Sequence, residues 1–293
     1  MDVLTTFDID RWEGPFPAEA QAQAVDALES GRLLYLPRLS FVLDQAERHF
    51  LSPQWSDGKA KNVSYDPVKD DLRGTTVRHQ ERLALRHMMA RYAAQARSLL
   101  ESLVPSYRAH LSQARTSFRP VEVMGRIQSF KRDDRLLHTD AFPSRPSRGH
   151  RILRVFSNVN PDGQDRIWRV GEPFEAMARK FIGGLRPPLP GLHALLAVLR
   201  ITKGGRTLYD SFMLQLHDRV KKDQTYQDRA PQTSLALKPG STWIVFTDQV
   251  LHAALSGQYL FEQTFHLPVD AQHRLELAPL RVLERLTGRA LVG

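Results

Sequence analysis

The spacing of apolar and polar residues changes character near Pro120. Before it, apolar residues recur mostly at three and four. Residues 17–29 are Ala- and Gln-rich with this spacing, which predicts a helix that Gly31-Arg32 ends. Leu33-Leu34-Tyr35-Leu36 reads as a short strand. Residues 40–51 predict a second helix with Ser40 as its N-cap, and 52–76, carrying Pro, Gly, Asp and Lys, predict a loop. From 78 to 113 the pattern predicts a long helix: Leu83, Met88, Tyr92, Ala96, Leu99, Leu100 and Leu103 share a stripe, and Pro105 should kink or split it.

After Pro120 the period drops to two. Val121, Val123, Gly125 and Ile127 alternate with polar residues, as in a strand. Further strands are predicted at 152–159, 166–170, 234–237, 242–246, 250–254 and 259–267, broken by turn signals such as Asn160-Pro161-Asp162-Gly163 and Lys238-Pro239-Gly240. Helices are predicted at 173–182 and 207–221. Leu277, Leu280, Val282, Leu283, Leu286 and Leu291, interleaved with Arg, predict an amphipathic C-terminal helix, more readily packed on the body than lying on a membrane. Short strands joined by tight turns suggest a barrel or jelly roll. The whole reads as one α+β domain: a mostly helical part (1–117), a double-stranded β-helix core (118–270) and a C-terminal helix (271–293).

Composition narrows the chemistry. None of the 293 residues is a cysteine, so disulfides, thiolate zinc sites, Fe–S clusters and Cys nucleophiles are excluded. A cytoplasmic address fits, with no basic-then-apolar leader and no run near the roughly 20 apolar residues of a membrane span. The net charge of +9 favours an anionic partner without choosing among nucleic acid, a phospholipid surface and an acidic substrate.

His138-Thr139-Asp140 carries the strongest chemical signal. Side chains two apart share a face on an extended chain. His252, distant in sequence, follows an apolar strand and a short connection. Two His and one carboxylate, with the opposite positions open, form the donor set of non-heme Fe(II) oxygenases, although Mn(II) or Zn(II) would accept the same donors. A second H-x-E match, His79-Gln80-Glu81, opens the Arg-rich helix, where residues two apart diverge; it reads as helix surface.

The segment 238–257, with Lys238-Pro239-Gly240, an apolar strand and then His252 and Gly257, together with His138-Thr139-Asp140, resembles the Fe(II)/2-oxoglutarate-dependent oxygenases. The resemblance implies that His138, Asp140 and His252 hold iron, and that 2-oxoglutarate and O2 are consumed to hydroxylate an unactivated C–H. Many members place an Arg for the co-substrate's far carboxylate about ten residues beyond the distal His; here Glu262 and Gln263 stand there. Other branches take the cation from the strand after the first ligand pair, which makes Arg154 the first candidate, Arg151 the second and Arg126 a distant third. Asn158 and Gln128 are candidates for further hydrogen bonds to it.

His138 to Pro143, Arg154 to Pro161 and Trp168 to Phe174 resemble the Kdo hydroxylases of Gram-negative bacteria more specifically. That likeness implies hydroxylation at C3 of 3-deoxy-D-manno-oct-2-ulosonic acid (Kdo) attached to lipid A, giving Ko. Basic residues clustered at Arg145, Arg148, His150 and Arg151, and again at Arg166, Arg169, Lys203 and Arg206, agree with an anionic glycolipid and peripheral contact with the inner membrane. Two other classes stay open: a metal-retaining cupin-like binding module, and a nucleic-acid binder, against which no zinc finger, RNP-type motif or convincing helix-turn-helix is present.

Overall fold

The computed structural model describes residues 2–125, 128–189 and 205–292. The first part of the chain runs β1 (Leu4–Thr6), α1 (Ala18–Glu29), β2 (Leu33–Leu36), β3 (Val63–Asp66), β4 (Asp71–Arg73), α2 (His79–Leu103) and β5 (Ser112–Arg119). Then come β6 (Arg151–Asn158), β7 (Arg166–Gly171), α3 (Phe174–Phe181), α4 (Leu208–Lys222), α5 (Gln224–Arg229), β8 (Gln232–Leu237), β9 (Thr242–Phe246), β10 (His252–Ser256), β11 (Leu260–Leu267) and α6 (Pro279–Thr287).

The strands form two sheets. One has eight strands in the order β1-β2-β9-β6-β11-β5-β3-β4; the other has three, β10-β7-β8. Apart from the parallel β1–β2 pair, every pairing is antiparallel. The result is the expected jelly-roll core with helical support, with both sheets lining one cavity.

β6 lies near the middle of the large sheet and is buried along its whole length. Leu153 and Val155 point to α1 and α2, joining Ala24, Leu28, Leu99 and Leu100 in the main apolar core. Arg154 and Phe156 point the other way, into the cavity. The same alternation on β11 sends Phe265 to the helices and Glu262, Thr264 and His266 to the cavity. α2 owes its length to one continuous buried stripe that runs from Leu85 to Leu103, and Pro105 follows its end. α4 starts on a capping box in which Thr207 and Asp210 satisfy each other's backbone N–H.

Four expectations are corrected. Residues 40–51 are not a helix: Phe41 is drawn between the rings of Tyr92 and Phe261 (centroids 5.0 Å from each), which holds the segment open until a 3-10 turn at Arg48–Phe50. Residues 52–76 are not all loop, because β3 and β4 form a hairpin that extends the large sheet. The long helix ends at Leu103, and the strand expected after Pro120 comes earlier, as β5. Pro120 ends that strand, and the stretch from Val121 to Gly125 is loop; Ile127 and the candidate Arg126 lie outside the described residues. The C-terminal helix α6 is packed on the body, with Leu280, Val282 and Leu283 buried beside Phe174 and Met177 of α3.

Candidate metal centre

Backbone pairing brings the two histidines together. The His138 N–H donates to the His252 carbonyl (3.1 Å), and the His252 N–H donates back to the His138 carbonyl (2.9 Å). Residues in such a reciprocal pair face each other with side chains on the same side. The imidazole centroids are 4.7 Å apart. Two residues on, the Asp140 N–H donates to the Thr247 carbonyl (2.8 Å), which sets its carboxylate beside the rings. Among the described residues, His138, Asp140 and His252 form the one group of three whose ligand atoms all lie within 4.8 Å of one another.

Each imidazole is fixed in one tautomer. Nδ1–H of His138 donates to the Leu136 carbonyl (2.7 Å), and Nδ1–H of His252 donates to the Val250 carbonyl (2.9 Å). A carbonyl only accepts, so each Nε2 keeps a free lone pair for a metal. Burial, reinforced for His138 by His252 and Lys221, depresses both imidazoles and keeps them neutral. Burial would push the Asp140 carboxyl up, but Arg154 and then the two imidazoles outweigh it and hold the group below the usual carboxylate range. Two neutral imidazoles and one anionic carboxylate fit a divalent cation. The decoy His79 and Glu81 are exposed on α2.

The three residues line a cavity of about 410 Å³. Trp168 stacks on His252 (5.1 Å, 22°) and meets Phe156 edge-on, giving that wall an apolar surface. Charged residues line the cavity beside it. Arg154 Nη2 lies 3.1 Å from Asp140 Oδ2, and its Nη1 lies 3.0 Å from Glu262 Oε1. Arg119 also binds Glu262, and reaches Asp134 Oδ2 at 3.2 Å. Arg166 lines the cavity from β7 and donates to the Gly257 carbonyl at 2.6 Å.

Of the two leading arginine candidates for the co-substrate, Arg154 faces the cavity and Arg151 does not; the third, Arg126, lies outside the described residues. Arg151 lies on the helix side of β6, wholly buried, where Asp248 (2.7 Å), Gln249 (2.6 Å) and Gln272 (2.6 Å) take its N–H groups and the Phe246 ring lies 4.0 Å beneath it. Asn158 is engaged in a turn, donating to Gln164 and Leu237 carbonyls and accepting from the Asn160 N–H. Gln128 lines a neighbouring cleft instead of this cavity. Arg145 lines the cavity and is exposed; Arg148 and His150 do not line it, and Lys203 lies outside the described residues. Sequence reasoning misses Arg119 and the role of Glu262. The available signal is Glu262 itself, a charge in the middle of an apolar strand.

A family model described as 3-deoxy-D-manno-oct-2-ulosonic acid (Kdo) hydroxylase matches residues 11–290. The Kdo hydroxylase KdoO, a non-heme Fe(II) alphaketoglutarate-dependent dioxygenase solved with alphaketoglutarate and Fe(III), is 47% identical, with a TM-score of 0.95 over 99% of this chain and 97% of that one. Its cobalt(II) complex is 48% identical, with a TM-score of 0.97 over 99% and 98%. No curated protein matches the chain. With a model spanning nearly all of it and solved relatives sharing almost half of its residues, the chain belongs to the Kdo hydroxylase family.

Proposed function

We propose that the chain hydroxylates C3 of Kdo in Kdo-lipid A to give Ko, in lipopolysaccharide inner-core biosynthesis, as an Fe(II)/2-oxoglutarate-dependent dioxygenase. The observation that carries this reading is the pair of Nε2 lone pairs and one carboxylate, held together at a cavity lined by Arg119, Arg154 and Arg166. His138, Asp140 and His252 would hold the iron. When bound, Fe(II) with 2-oxoglutarate and O2 supplies the oxidising power for hydroxylating an unactivated C–H.

The chain's own residues do the rest. The carbonyls of Leu136 and Val250 keep both imidazoles in their ligating tautomers. Trp168 and Phe156 exclude water from one wall. Arg154 supplies a guanidinium for a carboxylate beside the metal, and Arg119 and Arg166 supply positive charge further along β5 and β7. 2-Oxoglutarate and Kdo are both carboxylates, so a cavity rich in guanidinium suits each.

The rest of the substrate is an anionic glycolipid. A second cleft of about 350 Å³ shares Lys61 with the first and is also lined by Lys59 and Arg132, both exposed. We place the lipid A phosphates there. Among the described residues no helix is long and apolar enough to cross a membrane. The location we propose, from the basic residues around the clefts and the glycolipid substrate, is peripheral, on the cytoplasmic face of the inner membrane. Incubation with Kdo2-lipid A, 2-oxoglutarate and Fe(II) should add one oxygen to the glycolipid by mass spectrometry and release one succinate per oxygen. Succinate release with no mass gain on any Kdo glycolipid would move the activity to another anionic substrate.

A further inference from the structure

β11 carries a buried acid, Glu262, on its cavity face. It lies between β6 and β5 in the large sheet, and Glu262 is opposite Phe156 on one side and Ser117 on the other. Arg154 and Arg119 are two residues away from those partners, in opposite directions along the barrel. Long side chains reach such diagonal neighbours. Glu262 Oε1 takes Arg154 Nη1 at 3.0 Å, and its Oε2 takes Arg119 Nη2. Its side chain is 5% exposed, and those of Arg154 and Arg119 are 9% and 11%. Burial would raise the Glu262 carboxyl, but the two guanidiniums outweigh it and keep it anionic.

The outer ends of both arginines are also tied. Arg154 continues to Asp140 and Arg119 to Asp134, which Lys61 pairs in turn. Charges therefore alternate from the metal ligand Asp140 to Lys61 at the neighbouring cleft. Without the central carboxylate, two buried guanidiniums would repel each other and lose their common anchor. No cation on β11 occupies the site; an anion there draws one from each adjacent strand.

We propose that Glu262 is a positioning residue that sets Arg154 and Arg119 as a paired guanidinium receptor for a carboxylate entering the cavity. The inference rests on the functional reading above, in which both the co-substrate and the sugar are carboxylates. Glu262 touches neither; it acts through the two arginines.

The test uses the full chain loaded with Co(II). Equilibrium dialysis on that form measures binding of radiolabelled 2-oxoglutarate and, separately, of free Kdo; steady-state assays of the chain loaded with Fe(II) instead give KM and kcat for each substrate. Glu262→Gln keeps the shape and removes the charge. It should weaken one carboxylate by about tenfold or more and raise the matching KM, with a much smaller change in kcat and unchanged Co(II) affinity. The arm that moves identifies the carboxylate. Glu262→Asp, too short to span both arginines, should fall between. Adding E262Q to Arg119→Gln should weaken binding less than the two single effects combined, since they share a path. If E262Q does not fold, E262D and Arg119→Lys, which keep the charge but break the fork, carry the same KM expectation. Unchanged affinity for both carboxylates in these variants overturns the proposal, as does a loss of Co(II) binding in step with kcat. Wild-type protein that binds Co(II) but neither carboxylate would instead overturn the functional reading.

Discussion

Two arginines on β6 have very different fates. Arg151 and Arg154 are three apart in sequence, so the pleat sends them to opposite faces. Arg151→Ala should act as a stability variant. It leaves the buried Asp248 without its cation, and we expect a loss of about 3–5 kcal/mol in chemical denaturation, with little change in the KM for 2-oxoglutarate. Arg154→Ala also leaves two buried carboxylates, Asp140 and Glu262, without their shared cation, but unlike Arg151→Ala it should raise a carboxylate KM by about tenfold or more. If Arg151→Ala shifts the KM instead, the two faces have been misassigned. His138→Ala removes one Nε2 from a site whose backbone is held by peptide hydrogen bonds. Co(II) binding and turnover should disappear while the melting temperature stays within about 5 °C of wild type.

The turns and strands around the site constrain it as much as the side chains do. Gly257 sits between β10 and β11 at φ +115°, and a Cβ there would come within 2.7 Å of Arg166 Cδ. Its carbonyl also accepts from Arg166. Gly257→Ala should therefore cost about 1–3 kcal/mol of stability and displace Arg166, seen as weaker carboxylate binding at unchanged metal affinity. Strands also decide how much the sequence reveals. His138-Thr139-Asp140 and His252 are legible because an extended H-x-D and a histidine after an apolar strand, among short strands and tight turns, are what a metal site built on two strands requires. The choice between Arg154 and Arg151 is not legible, because both faces of β6 are covered and apolar residues flank both phases. β5, Ser-Gln-Ala-Arg-Thr-Ser-Phe-Arg, faces a charged cavity with Arg115, Ser117 and Arg119 and so lacks the apolar alternation of a half-buried strand. The 40–51 segment misleads because its apolar residues contact aromatic rings contributed by α2 and β11, partners invisible to local periodicity.

Across the molecule, the surplus of +9 is unevenly used. Arg119 and Arg154 are buried and paired with carboxylates, whereas Lys59, Arg132 and Arg145 stand exposed around the two adjoining clefts. Exposed charges are screened over a Debye length of about 8–10 Å near physiological salt, and buried ones much less. Raising NaCl to about 0.5 M should thus raise the KM for the glycolipid several-fold more than that for 2-oxoglutarate. Equal sensitivity would mean that the outer basic residues do not meet the lipid. The buried apolar face of α6 is not free for membrane contact, since it packs against α3 in a core cluster that α4 also joins.

The exchanged peptide hydrogen bonds between His138 and His252 also set a timetable for a nascent chain. Half of the imidazole pair leaves the ribosome long before the other, and β10 cannot dock until β7 is in place to receive it. The three-ligand site can assemble only once the chain has been made past His252, so a translation product that stops earlier lacks one of its ligands.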